Sequence, residues 1–375
     1  MQSSQPNPKY AQATEIGALM LTGIIGGGKL ASTIGFNIFC GNKFGRAHFS
    51  PEINDTYEIA VLMSTGTVVL LSRIKPIYNQ CVNFLNLLAK KEATKKSGLT
   101  RLNTKTAFTI GTLTVTGGIF ASLNSYLGTL TLCEKYNINS TTLPWCAFAT
   151  NILSFYCFNL PKSIAKAATI NLDKTHLPQP KDISSCGKMV FKVIFTALGI
   201  SAYSFLAFFG TRHSLIKQTA MTTNTNSRLA LSATSACCAF ATISFTRAPA
   251  FWELSSNRKR LQFQKQDCKL KALIGILFST GALDIIITGI NYYTSTIDTI
   301  NEVSPSHEDS FIPLAISFAI TGAILHFAFA IYGTATEWTT QANEKSVPLL
   351  NDFEQYIHTH GPTIDETQKR KMQYA

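Results

Sequence analysis

The sequence predicts an all-α integral membrane protein of about eight transmembrane helices, arranged as four sequential helical hairpins. Three observations carry that expectation. Only 14% of the 375 residues are charged, whereas about a quarter is usual for a soluble domain. Eight apolar runs each approach the roughly 20 residues that a helix needs to cross bilayer hydrocarbon. Of the 33 Lys and Arg residues, 26 fall in segments on one side of those runs and six on the other, with Lys29 inside the first run. Short cation-rich segments stay on the cytoplasmic side, so both termini are expected there.

Taken in order, residues 1–15 are polar, with one cation, Lys9, and no cleavage site follows a short apolar core. No cleavable signal peptide is expected. The first two spans are read over 16–38 and 57–74, the second closed by Arg73, Lys75 and Pro76. The next four run over 107–130, 143–160, 188–210 and 229–249, the last of these diluted by Ser and Thr. Spans over 271–292 and 311–333 complete one polytopic region, 16–333, and leave a cytoplasmic tail over 334–375. In that tail Leu349, Leu350, Phe353, Tyr356 and Ile357 share one face of a short helix. After Pro76, residues Ile77, Cys81, Phe84, Leu85 and Leu88 share a face opposite Asn79, Asn83, Asn86 and Lys90. Such a segment either lies in the headgroup region or extends the second span into the cytoplasm.

Each out-and-back pair is followed by a basic segment, a topology repeated four times at about 80 to 90 residues per unit. Pro76, Pro161 and Pro249 are expected to close the first three return helices, and CAFAT occurs at both Cys146–Thr150 and Cys238–Thr242. The sequons at Asn54 and Asn139 fall in loops assigned to the outer side by charge. Nine cysteines, with Cys146, Cys157, Cys237 and Cys238 inside spans, do not form a secreted disulfide framework. Cys40 and Cys133 lie near one side, where a bridge could form.

Gly23 and Gly28-Lys29 match most of the loop that wraps nucleotide phosphates. That loop needs a preceding strand and a Ser or Thr after the lysine; here Leu30 follows, inside an apolar run. Lys29 is therefore read as a charge within a membrane helix, which marks a candidate functional site. Asp284 lies equally far into the seventh span, so a Lys29–Asp284 pair would neutralise both charges if the helices touch. His326 could relay protons or hydrogen-bond to a neighbouring helix. Asn124 and Asn151 could line a cavity or join helices. Gly26, Gly27 and Gly28 could let the helix open locally or pack closely.

Lys90, Lys91, Lys95, Lys96, Arg258, Lys259 and Arg260 are expected to face anionic lipid headgroups on the cytoplasmic side. Nucleic acid is not expected as a partner, because these cations are dispersed among hairpins. Enzyme signatures are near misses. Gly199-Ile-Ser201-Ala202 lacks the final glycine of the intramembrane serine proteases. Gly281-Ala-Leu-Asp284 lacks the second carboxylate that aspartyl chemistry needs. His358 and His360 have no further ligands at metal-binding spacing, and no cofactor is expected. Two functions compete. The leading one is a non-enzymatic membrane-anchored organising or interaction protein, including one delivered into a target membrane. The alternative is a transporter or channel for a small solute or ion around Lys29 and Asp284. A wet cavity between the first and seventh spans favours the second, and a solid bundle the first.

Overall fold

The computed structural model describes residues 8–48, 51–89, 104–154, 183–218, 223–256, 267–304, 308–340 and 342. Among them the chain forms helices and no strand. In order these are α1 (Pro8–His48), α2 (Pro51–Ala89), α3 (Thr104–Lys135), α4 (Thr142–Ser154), α5 (Ile183–Lys217), α6 (Thr225–Ser256), α7 (Cys268–Val303) and α8 (Glu308–His326). A π-helical turn, Phe327–Tyr332, continues α8, and helix resumes over 333–340.

Among the described residues five segments are long and apolar enough to cross a membrane: Gln12–Gly45, Asp55–Asn86, Met189–Lys217, Cys268–Val303 and Ser310–Thr340. They make the chain an integral membrane protein. Among the described residues α3 and α6 hold no such segment, and the predicted fourth span runs beyond Ser154, outside the described residues.

The side-chain distribution suits lipid outside and polar groups inside. Met20, Ile24, Met63, Phe191 and Ile286 are exposed, while Ser64, Ser122, Thr211, Ser235 and Thr296 are buried. Buried hydroxyls need acceptors, and many use their own helix. Ser122 donates to the Gly118 carbonyl at 2.8 Å and Thr296 to that of Tyr292 at 2.7 Å.

Consecutive helices pack on each other in the pairs α1/α2, α3/α4, α5/α6 and α7/α8. Between pairs, α1 meets α3, α4 and α7, and α5 meets α3, α7 and α8. That leaves α1, α5 and α7 at the centre.

The helices overrun the apolar runs that predicted them. α1 has 41 residues, about 62 Å at ~1.5 Å per residue, twice the hydrocarbon thickness of ~30 Å. Hydropathy senses lipid, whereas backbone hydrogen bonding continues wherever neighbouring helices give support. Of the segments that hydropathy assigns to loops, the described residues of 40–56, 211–228 and 293–310 are accordingly mostly helical, while 131–142 is helical only through Lys135 and again from Thr142. Two prolines expected to end helices also do not. α2 continues through Pro76 to Ala89, and α6 runs past Pro249 to Ser256; Pro161 lies outside the described residues. The stretch after Pro76 is thus an extension of α2. Ile77 and Cys81 are buried against Ala18 and Ile25 of α1, and Asn79, Asn83 and Asn86 are exposed. Cys40 and Cys133 are buried free thiols.

α1 and α3 cross backbone to backbone. A Cβ at Gly35 would overlap the Gly128 carbonyl, and one at Gly128 the Ser32 carbonyl. Small residues permit this approach. Gly35→Ala is expected to lower stability in detergent by about 1–3 kcal/mol through overpacking. Gly27→Ala, which opens onto free space, should gain up to about 1 kcal/mol of helix propensity. Equal shifts in melting temperature for the two variants would refute the crossing.

Candidate functional site: a polar cavity among the central helices

Helical spacing turns polar side chains from several elements into one space. Lys29, Ser32, Phe36 and Asn37 recur on one face of α1; Thr65, Val68, Ser72 and Arg73 do so on α2; Asp284, Thr288 and Asn291 do so on α7. With Asn151 of α4, Tyr203 of α5 and His326 of α8, they enclose a cavity of about 360 Å³. Arg73, at the end toward the basic segments, is exposed, whereas Asn37 and Asn291 at the opposite end are buried.

A hydrogen-bonded line crosses this cavity. Asp284 is only 2% exposed; its Oδ1 accepts from the Thr65 hydroxyl at 2.6 Å, and His326 Nε2 lies 2.7 Å from its Oδ2. The Thr65 oxygen in turn accepts from Asn37 Nδ2 at 2.9 Å, and Asn37 Oδ1 accepts from Asn291 Nδ2 at 2.7 Å. A buried carboxylate is tolerable only with such donors. Two buried oxygens on the wall, Asn291 Oδ1 and Ser72 Oγ, have no hydrogen-bond partner among the described residues.

Local backbone irregularities flank the site. The π-helical turn begins directly after His326 and brings Ala330 to the cavity; such turns recur at functional sites. Pro76 has no N–H for the carbonyl four residues back, that of Ser72, at the cavity's exposed end.

The sequence-predicted residues divide cleanly. Lys29, Asp284, His326 and Asn151 converge on the cavity, and α1 touches α7. The hydrogen-bond partners of Asp284 are Thr65 and His326, with Lys29 facing the same space. Asn151 also donates to Ser122 at 3.2 Å. Asn124 is not part of the wall; its amide packs against Gly210 of α5. The glycine run lies in unbroken helix, with Gly26 against Ile74 of α2, so no phosphate loop exists. Ser201 does not line the cavity. Lys90, Lys91, Lys95, Lys96, Arg258, Lys259, Arg260, the apolar face of the tail, His358 and His360 all lie outside the described residues. No cluster of three or more metal-ligating side chains occurs among the described residues.

Sequence reasoning missed Asn37, Thr65 and Asn291. The two asparagines carry the same signal as Asn124 and Asn151, a polar group in or beside an apolar run; Thr65 carries none, because threonine occurs in every span. It also missed an ionic layer at the end away from Arg73. Lys43 Nζ lies 2.7 Å from Asp298 Oδ1, and His213 Nε2 lies 2.6 Å from Asp298 Oδ2. Lys43 further sits 5.4 Å from the centre of the Phe209 ring. Arg212 pairs with Glu302, Lys135 with Glu58, and Lys217 with Glu134 at 2.9 Å. Hydropathy places the basic members in loops, yet they occupy helix ends and join α1, α2, α3, α5 and α7 beyond the Asn37–Asn291 end of the cavity.

Fold and site define an integral membrane protein with a polar cavity among its central helices. The chain matches no family model, no curated protein and no solved structure.

Proposed function

We propose that this is a multi-pass carrier or conduit for a small polar solute, with the central cavity as its binding site. The carrying observation is the cavity itself, polar, charged and bounded by α1 and α7. Its volume falls within the ~300–1,000 Å³ of small-molecule sites, and ionisable groups at membrane depth commonly mark solute or ion pathways. An organising protein needs only a solid bundle. In this reading the eight helices form four hairpins with both termini cytoplasmic, the basic segments face anionic lipid, and the activity is non-enzymatic. The exposed Arg73 and the ionic layer at the far end support a cavity open toward the cytoplasm and closed outside.

Two labelling experiments test this. Cysteines introduced at Ser72 and Thr288 should react with membrane-impermeant thiol reagents applied from the cytoplasmic face; no reaction from either face would remove the conduit. Cysteines placed within 136–141 and at Ser304 should react only from the opposite face. Reaction at Ser304 from the same face as one beyond Trp338 would eliminate the eight-span topology.

A further inference from the structure

We infer that solute movement through the cavity is coupled to a proton held by the Asp284–His326 pair, an inference that rests on the conduit reading. Both residues lie inside segments long and apolar enough to span a membrane, where carboxylates and imidazoles in sequence serve as proton relays. The pair joins α7 to α8 and faces the cavity. Its two halves are unequally placed. The side chain of Asp284 is 3% exposed and that of His326 is 23% exposed, so water in the cavity meets the imidazole first.

The chemistry is one proton transfer. An ionised carboxylate only accepts, so His326 Nε2, 2.7 Å from Asp284 Oδ2, carries the hydrogen between them. The coupled proton passes from cavity water to the other ring nitrogen, Nδ1, and turns a neutral imidazole beside a carboxylate into an imidazolium–carboxylate pair. Release returns it from Nδ1 to water. A charged ring binds Asp284 more strongly and draws electron density from Oδ1, the oxygen that accepts from Thr65 at 2.6 Å. Thr65 is the first link of the line through Asn37 to Asn291, so the proton acts on the groups that a polar solute meets. The π-helical turn directly after His326 supplies a backbone irregularity where the pair rearranges.

The other titratable groups on the wall are Lys29 of α1, Arg73 of α2, Tyr203 of α5 and Tyr292 of α7; Tyr57 of α2 is within electrostatic reach of Asp284. Side chains of these types ordinarily titrate above the range of about pH 5 to 8 in which an imidazole changes charge. A second carboxylate–imidazole pair, Asp298–His213, lies off the cavity wall. There Lys43 Nζ is 2.7 Å from Asp298 and 3.0 Å from His213, so a lysine already supplies the counter-charge, and His213 serves as the control.

Two readouts test this on the full-length protein in liposomes. In the first, the Cε1 hydrogen of each histidine exchanges slowly against deuterium at a rate set by the protonation of its ring, read on peptides by mass spectrometry. For His326 the rate should follow a titration curve across about pH 5 to 8. Asp284→Asn should displace that curve, and His213→Gln should leave it in place. A flat profile in the unaltered chain overturns the proton site, with no variant needed. In the second, Ser72→Cys or Thr288→Cys is labelled with trimethylammonioethyl methanethiosulfonate across the same range. Each rate is divided by the rate in a His326→Gln background, which cancels the titration of the thiol itself. That ratio should change severalfold over the range, whereas division by a His213→Gln background should give a constant. A constant ratio against His326→Gln overturns the coupling and leaves the conduit standing. Absence of labelling at both positions from either face instead overturns the conduit and the inference with it.

Discussion

Asp284→Ala is expected to lower the unfolding free energy in detergent by about 2–5 kcal/mol, because it removes the acceptor for two donors from other helices. Thr65, 1% exposed, would be left with a buried hydroxyl whose acceptor is gone, and His326 would lose its carboxylate. Asp284→Asn keeps an oxygen for Thr65 and should cost less, about 1–2 kcal/mol. Combining Asp284→Ala with His326→Ala should fall short of additivity by about 0.5–3 kcal/mol, since the second change removes a group already stranded. The same cycle with Lys29→Ala measures the pairing suggested by equal depth in the membrane. Full additivity with His326, together with strong coupling to Lys29, would reverse the assignment of partners.

In the ionic layer the larger loss should come from changing the less buried partner. Arg212 is 7% exposed, and its Nε and Nη1 have no acceptor among the described residues; the side chain of Glu302 is 35% exposed. Glu302→Gln leaves a buried guanidinium without its carboxylate and is expected to cost about 2–4 kcal/mol, toward the lower end of breaking a buried pair because water already reaches the glutamate. Arg212→Met leaves a carboxylate that water can solvate and removes two unsatisfied donors, so its cost should stay near 0–1 kcal/mol. Thermal melting of both variants in one detergent decides the matter. A larger loss for Arg212→Met would mean that the guanidinium has acceptors beyond Glu302.

Apolar length made the helices legible, and charge marked part of the site. Lys29, Asp284 and His326 stand out because a charge or an imidazole in an apolar run is costly unless it has partners, and all three meet at one cavity. What those partners are was not legible. Thr65 reaches Asp284 because α2 packs against α7, a contact that no local pattern encodes. The ionic layer was hidden for a related reason. Lys43, Arg212 and Lys217 look like loop residues when apolarity alone defines a helix, yet acids on neighbouring helices hold them in continuous helical backbone. Pro76 misled in the same way, since a helix braced along α1 keeps its course through one missing hydrogen bond.

The Gly35–Gly128 crossing has a mechanical meaning. Where two backbones touch, neither helix can roll or slide past the other without a collision that no side-chain rotamer can relieve, so α1 and α3 must travel as one rigid pair. Seams where side chains meet instead include α1 with α7 at Asn37 and Asn291, and α2 with α7 at Thr65 and Asp284, and an alternation of access to the cavity could use them. Both seams belong to the same hydrogen-bonded line. A solute that competes for those groups would loosen the joints about which the bundle can rock, coupling occupancy to movement without a separate trigger.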